Sequence, residues 1–188
     1  MTTAGFVLAG GRSLRMGRDK ALLPWHSGVL VQDVAVKLAA VAGRVAIVGN
    51  PDRYSGLGFD CLPDLRPGFG PLSGIETALH SRGAEYNLLL ACDMPDVSAD
   101  HLKQLLHTAQ HTDARCVVTC DETGQMHPLC AVYRSGGLAT VTCALDEGRL
   151  KLLDLVDELG AIAVRATSPV RNINTPEDWQ ALHADHGF

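Results

Sequence analysis

The residues best suited to chemistry lie in one short stretch near the start of the chain, LAGGRSLRMGRDK at residues 8–20. Gly10 and Gly11 follow an apolar run, and three arginines and one lysine come after them, among them Arg15 and Lys20. Glycines let backbone amides approach an anion closely, and the cations supply the counter-charge. The stretch therefore predicts a loop that binds a polyphosphate; the alternative is a solvated basic turn.

The spacing of this stretch excludes the two most familiar phosphate loops. A Walker A loop needs a glycine directly before its lysine, whereas Asp19 precedes Lys20. The dinucleotide fingerprint needs one residue between its first two glycines, whereas Gly10 and Gly11 are adjacent. Any phosphate loop formed here is therefore of another kind.

A carboxylate follows the apolar run in LLLACDMP, residues 88–95. Asp93 stands where the predicted strand ends, and Pro95 lacks the N–H that further pairing would need. Mg²⁺ takes one or two protein carboxylates together with phosphate oxygens. Asp93 is therefore a candidate magnesium ligand and catalytic residue, the alternative being a turn aspartate that begins the loop to Ser98.

A second carboxylate opens a loop rich in glycine and proline, DLRPGFGPLSG at residues 64–74. So many backbone-shaping residues favour a loop that wraps a ligand. Asp64 is therefore a candidate contact to a ligand, and an exposed acid in a strand-terminal turn is the alternative.

The segment NINTPED, residues 172–178, favours contact with a ligand. Asn172 and Asn174 alternate in a short extended segment, so both side chains point the same way. We expect them to bind a phosphate or a ring of that ligand, unless they only cap the following helix. His127 is assigned a structural or ligand-contact role.

Six apolar runs separate these segments, and continuous apolar character predicts strands that are covered on both faces. The predicted strands are residues 5–9, 44–49, 87–92, 115–120, 128–133 and 161–166. Helical spacing predicts helices over 30–41 and 102–109, with helix starts at Ser73, Ser98 and Thr175. The alternation predicts a single three-layer α/β/α domain over residues 1–188, with a mainly parallel, Rossmann-like sheet whose ligands bind at the carboxyl ends of the strands.

Composition excludes several classes of protein. The formal net charge is -5, which argues against a nucleic-acid partner, and no apolar run has the length of a membrane span. The N-terminus lacks the basic region of a signal peptide, and the six cysteines form no CxxC pair. We expect a cytoplasmic protein with free thiols.

Five segments, taken together and in order, resemble the MobA-like nucleotidyltransferases, and among these the guanylyl-transferring branch. The segments are residues 8–20, 64–75, 91–95, 127–133 and 172–178. The resemblance covers nearly the whole chain and implies a nucleotide-diphospho-sugar transferase type of fold. It also implies transfer of GMP from GTP to the phosphate of molybdopterin, the organic part of the molybdenum cofactor, with release of pyrophosphate. Mg²⁺ is the implied cofactor, and other proteins of cofactor biosynthesis or molybdoenzyme maturation are the implied partners.

The resemblance assigns roles to particular residues. It implies nucleotide contacts at Leu8, Ala9, Gly10, Gly11, Lys20, Asp64 and Asp93, catalytic roles for Arg15, Lys20 and Asp93, and acceptor contacts at Asn172 and Asn174. A family asparagine that contacts the nucleotide aligns most directly with Val48, while Asn50 lies two positions on.

The choice of base depends on the same resemblance. The LAGG string and the HPLCAVY segment, residues 127–133, favour the guanylyl branch, because cytidylyl and sugar relatives usually have LAAG. Cytidylyl transfer, transfer to a sugar phosphate and a non-catalytic nucleotide-binding accessory protein are the alternatives.

Overall fold

The computed structural model describes residues 1–10, 19–81, 83–167 and 169–187. Within these ranges the chain forms nine β-strands and seven α-helices. The strands are β1 (Thr3–Ala9), β2 (Pro24–Trp25), β3 (Gly28–Val29), β4 (Val45–Gly49), β5 (Asp60–Leu62), β6 (Tyr86–Ala91), β7 (Cys116–Cys120), β8 (Met126–Arg134) and β9 (Ile162–Arg165). The helices are α1 (Leu30–Ala42), α2 (Pro51–Tyr54), α3 (Pro71–Ser81), α4 (Ala99–Gln110), α5 (Leu138–Asp146), α6 (Leu152–Glu158) and α7 (Pro176–His186), and a short 3-10 turn spans Lys20–Leu22.

Seven strands form one sheet in the order β5-β4-β1-β6-β8-β7-β9. The first four run parallel, β8 is antiparallel to both of its neighbours, and β9 is parallel to β7. All six residues of β6 are buried, as are six of the seven in β1, which is what continuous apolar runs in the middle of a covered sheet predict.

Helices cover both faces of this sheet. One apolar core contains side chains of α1 and α4, and a second contains side chains of α3, α5 and α6. Alternate residues of β1 serve the two cores, with Val7 in the first and Phe6 and Leu8 in the second. The predicted three-layer, mainly parallel fold is thus confirmed. Among the described residues, no helix combines the length and apolarity that spanning a bilayer requires.

Two of the three predicted helix starts are confirmed. Ser98 caps α4 by accepting from the His101 N–H at 3.2 Å, and Thr175 caps α7 in a reciprocal capping box with Asp178. The start at Ser73 is wrong, because α3 already begins at Pro71. The Ser73 hydroxyl instead accepts from the backbone N–H of Arg66 at 3.1 Å, so it holds the preceding loop.

The carboxyl ends of three parallel strands meet at one point of the sheet. Ala9 of β1 pairs with Gly49 of β4, and Leu8 pairs with Ala91 of β6. At Gly49 the backbones are so close that an added Cβ would lie 2.6 Å from the Ala9 carbonyl oxygen and 2.8 Å from the ring of Tyr54. Only glycine fits this position without a shift of the main chain.

We predict that Gly49→Ala lowers the free energy of unfolding by about 1–3 kcal/mol, the usual cost of overpacking a close contact. Gly56→Ala is the matched control, since an added Cβ there meets nothing within 4 Å. The control is expected to be neutral or to stabilise by less than about 1 kcal/mol. Denaturant unfolding of the two variants checks this, and equal stabilities would contradict the close approach at Gly49.

Candidate active site

A cavity of about 540 Å³ lies at the carboxyl ends of β1, β4 and β6. Its walls come from the ends of these strands and from the loops that follow them. Lining residues that the sequence singled out are Leu8, Ala9, Gly10, Lys20, Val48, Asn50, Asp64 and Asp93. Gly11, Arg12, Arg15 and Arg18, which were also predicted at the polyphosphate loop, lie outside the described residues.

An ion pair between Lys20 and Asp93 occupies the floor of this cavity. Both side chains are largely buried, with 17% and 14% of their surface exposed. The Lys20 ammonium also contacts the Asn174 amide oxygen at 3.3 Å and the Ile173 carbonyl oxygen at 3.4 Å. Three segments that are distant in sequence therefore converge on one cation.

The backbone holds these segments together independently of the ion pair. Ile173, which is buried, donates its N–H to the Asp93 carbonyl at 2.9 Å. Asn174 and Thr175 both donate their N–H groups to one Asp178 oxygen at 2.8 Å. These bonds hold the pKa of Asp178 below its usual range and fix the start of α7 beside the loop that follows β6.

The groups around the Lys20 ammonium fit a hard cation. A carboxylate, an amide oxygen and a backbone carbonyl are all oxygen donors, the type that Mg²⁺ prefers. Over the described ranges, no set of three histidine, cysteine, aspartate or glutamate side chains is arranged to hold a metal. A divalent cation at this position would thus depend on Asp93 and on oxygens of a bound phosphate, which is the usual mode for Mg²⁺.

Asp64 also lines this cavity and lies beside two glycines. A Cβ added to Gly10 would lie 3.9 Å from its Oδ2, and one added to Gly74 would lie 3.8 Å from its Oδ1. Burial raises the pKa of the Asp64 carboxyl, and no described residue donates a hydrogen bond to it. The carboxylate is thus partly desolvated and available for donors of a ligand.

Hydrogen bonds fix the loop that carries Asp64. Leu65 donates its N–H to the Thr77 hydroxyl at 3.0 Å, and the Arg66 guanidinium pairs with Glu76 at 3.0 Å. Because Thr77 and Glu76 belong to α3, the loop is positioned by the helix that packs beneath it.

A second contact set lies on the wall formed by α2. Asp19 accepts from the Tyr54 hydroxyl at 2.8 Å and from the Arg53 guanidinium at 2.9 Å, and its other oxygen accepts from the Ala21 N–H at 3.1 Å. Burial raises the pKa of Tyr54 above its usual range. Position after a parallel strand, the rule that selected Asp93, also points to the segment holding Arg53 and Tyr54, but sequence reasoning did not find their contact to Asp19.

The two positions proposed for the family asparagine both line the cavity. Val48 is buried at the end of β4, while Asn50 is exposed and caps α2 by accepting from the Asp52 N–H at 3.0 Å. Of these two residues, only Asn50 has a polar side chain with which a nucleotide could form a hydrogen bond.

A second, smaller cavity of about 210 Å³ adjoins the first. Ala91, Asp93 and Leu129 line both cavities, so Asp93 stands at their junction. Asn172 lines the second cavity, whereas Asn174 contacts Lys20. The two asparagines thus lie near the same junction and contact different parts of it.

The mainly parallel sheet and the cavity at its carboxyl edge, together with the basic sequence before Lys20, are consistent with the nucleotidyltransferase class of α/β protein. The model of the MobA-like NTP transferase domain matches residues 5–161. A molybdenum cofactor guanylyltransferase from Xanthomonas euvesicatoria pv. vesicatoria is 36% identical over 95% of this chain and 93% of its own length. The chain therefore belongs to the MobA-like NTP transferase family and is a nucleotidyltransferase.

Solved structures support the same fold. The molybdopterin-guanine dinucleotide biosynthesis protein A from Archaeoglobus fulgidus superposes with a TM-score of 0.83 at 21% identity and covers 98% of both chains. The 2-C-methyl-D-erythritol 4-phosphate cytidylyltransferase from Thermus thermophilus superposes with a TM-score of 0.74 at 16% identity and covers 100% of both chains. At such low identities these likenesses establish the fold alone.

We predict that Asp64→Asn raises the melting temperature of the ligand-free protein at neutral pH. Because the pKa of Asp64 is raised in the folded state, ionisation of this carboxyl destabilises the folded protein at pH values above its pKa. The gain should shrink as pH falls and the wild-type carboxyl becomes protonated in both states. Calorimetric scans between about pH 4 and 8 test this, with the exposed Asp157→Asn as control. A gain that is absent or independent of pH would contradict the desolvated carboxylate.

Proposed function

We propose that this chain transfers GMP from GTP to the phosphate of molybdopterin, or of its molybdenum form, and releases pyrophosphate. The product is a guanine dinucleotide form of the cofactor. The observation that carries the proposal is the position of Asp93, paired with Lys20 at the junction of two adjoining cavities. A reaction that joins two substrates needs such a junction, and the named relatives supply the substrate class.

The reaction breaks one phosphoanhydride bond and forms another. An oxygen of the acceptor phosphate attacks the α-phosphorus of GTP, the bond from the α-phosphorus to the bridging oxygen breaks, and its electron pair leaves on pyrophosphate. The acceptor oxygen is already ionised, so no proton must be removed by the protein. Catalysis then rests on alignment of the two phosphates and on stabilisation of the charge that develops.

Lys20 supplies a positive charge directly beside Asp93. In the resting protein its ammonium is neutralised by Asp93. A polyphosphate in the larger cavity would compete with Asp93 for the same ammonium. Because Lys20 is partly buried, water and salt screen this contact less than they would at a fully solvated lysine. Asp93 and Asn174 would hold Mg²⁺, which when bound neutralises phosphate oxygens and leaves Lys20 to contact the polyphosphate.

Asp64 provides a physical basis for selecting guanine. A desolvated carboxylate with no described donor accepts two hydrogen bonds from the N1–H and amino groups of guanine. Cytosine presents an acceptor at N3 beside its amino group, and a carboxylate facing an acceptor loses that bond.

A nucleotide screen tests the choice of base. We expect GTP with Mg²⁺ to raise the melting temperature more than CTP, ATP or UTP, and we expect the advantage of GTP to disappear in Asp64→Asn. Thermal shift with all four nucleotides, with and without Mg²⁺, measures this. A larger shift with CTP would show a cytidylyltransferase, and equal shifts would exclude base recognition at Asp64.

Replacement of Lys20 tests its catalytic role. We predict that Lys20→Ala lowers turnover by about 10²–10³, the usual cost of losing one stabilising contact to developing charge. Lys103→Ala is the control, because Lys103 pairs with Asp100 on the exposed face of α4. Pyrophosphate release from GTP and molybdopterin provides the measurement. Wild-type turnover in Lys20→Ala would remove this residue from the reaction.

A further inference from the structure

The residues that line the smaller cavity suit a planar ring with polar groups at its edge. Its apolar lining comes from Ala91, Met94, Met126, Pro128, Leu129 and Leu152, and its polar lining from Asp93, Gln125, His127 and Asn172. Thioethers pack favourably against planar ring systems and adapt to their shape. The polar groups are few, which suits recognition of a ring by its edge.

An irregularity in β8 builds one wall of this cavity. Val118 of β7 pairs with Ala131 of β8, but the next residue, Thr119, pairs with His127. Residues 128–130 therefore leave the ladder between β7 and β8, as expected where Pro128 has no N–H to donate. Such bulges are typically found beside active sites, where they re-aim a side chain.

Buried side chains hold this bulge in place. The Tyr133 hydroxyl donates to the Pro128 carbonyl at 2.9 Å, and the Thr119 hydroxyl donates to the Cys130 sulfur at 3.0 Å. Tyr133, Thr119 and Cys130 are all fully buried. The wall is therefore fixed before a ligand arrives.

His127 is held on this wall by Asp121. Its Nε2 lies 3.0 Å from Asp121 Oδ2, and only 9% of its side chain is exposed. The other Asp121 oxygen accepts from the Thr123 N–H and hydroxyl and from the Gln125 N–H. Hydrogen bonds from the Thr123 hydroxyl and from His127 hold the pKa of Asp121 well below its usual range.

The ionised state of Asp121 fixes the tautomer of His127. A carboxylate can only accept, so Nε2 must carry a proton and donate it. In the neutral ring Nδ1 is then an acceptor, and no group of the described residues donates to it. Because Nε2 bonds Asp121, Nδ1 is the ring nitrogen that remains for a ligand, and it is an acceptor when the ring is neutral.

We propose that the smaller cavity binds the nitrogen heterocycle of the phosphomonoester acceptor, and that His127 Nδ1 accepts a hydrogen bond from a ring N–H or amino group. This inference rests on the proposed function. The acceptor phosphate then lies toward the junction at Asp93, while its ring lies between the methionines and the bulge of β8. His127 is a specificity residue for the acceptor, and Asp121 is a positioning residue that acts through His127.

The test uses Asp121→Asn, which preserves the shape of the pair. An asparagine keeps an oxygen for the Thr123 and Gln125 donors but presents NH₂ to Nε2, which moves the ring proton to Nδ1. Nδ1 then faces the acceptor as a donor. We expect the KM for molybdopterin to rise about tenfold, the effect of one lost hydrogen bond, with the KM for GTP unchanged.

His127→Ala removes the same contact and should raise the KM for molybdopterin to a similar extent. The double variant should show no further rise, because both changes abolish one interaction. His107→Ala, which replaces an exposed histidine on α4, is the control and should match the wild type. Thermal shift with GTP and Mg²⁺ verifies that each variant folds and binds nucleotide.

An unchanged KM for molybdopterin in both single variants would overturn the assignment. A rise in both KM values, or a lost GTP shift in Asp121→Asn, would also overturn it, because it would show a general structural role. If the wild type uses another nucleotide with molybdopterin, the proposed base is wrong. The same comparison of KM values, made with that nucleotide, would still decide the role of His127. No product with any of the four nucleotides would overturn both proposals.

Discussion

The site depends on the pairing of one ammonium with one carboxylate at the place where two cavities meet. Lys20 follows the basic loop, Asp93 follows the central strand, and each largely shields the other from water. A partly buried charge loses part of its hydration, and here the attraction of the partner offsets that loss. Either charge alone at this position would therefore destabilise the protein. The pairing therefore keeps a cation within the site that an anionic ligand can contact.

Close approach of backbones makes this pairing possible. β1 lies between β4 and β6 and runs parallel to both, so the carboxyl ends of the three strands share one edge, and β4 and β1 approach closely there at Gly49. The Ile173 N–H then fastens the segment before α7 to Asp93. The side chains of Lys20, Asp93 and Asn174 come into contact because these main-chain contacts fix the positions of their segments.

The sequence predicted the parts of this arrangement that follow from position along a strand. Asp93 and Asp64 were selected by strand ends and loop composition, and both line the larger cavity. The contact of Arg53 and Tyr54 to Asp19 was not predicted, because it spans more than thirty residues and has no local signal. The helix start at Ser73 was wrong because Pro71 is an equally good first residue and Arg66 claims the Ser73 hydroxyl.

Short elements and irregular pairing were also beyond local patterns. β5 has three residues and β2 and β3 have two each, too few for a hydrophobic period to register. The shifted register of β8 arises from pairing with β7, and Pro128 was its only local sign. The roles of the site residues, the single-domain organisation and the cytoplasmic location stay predictions.

The direction of β8 has a consequence for how such a site can evolve. Because this strand runs against its neighbours, it begins at the edge where β6 ends, so the hairpin between β7 and β8 opens directly onto the smaller cavity. Insertions or deletions at residues 121–125 would reshape the smaller cavity and leave β1, on the far side of β6, untouched. Related enzymes could thus evolve different acceptor specificities without any change in the residues that bind the nucleotide.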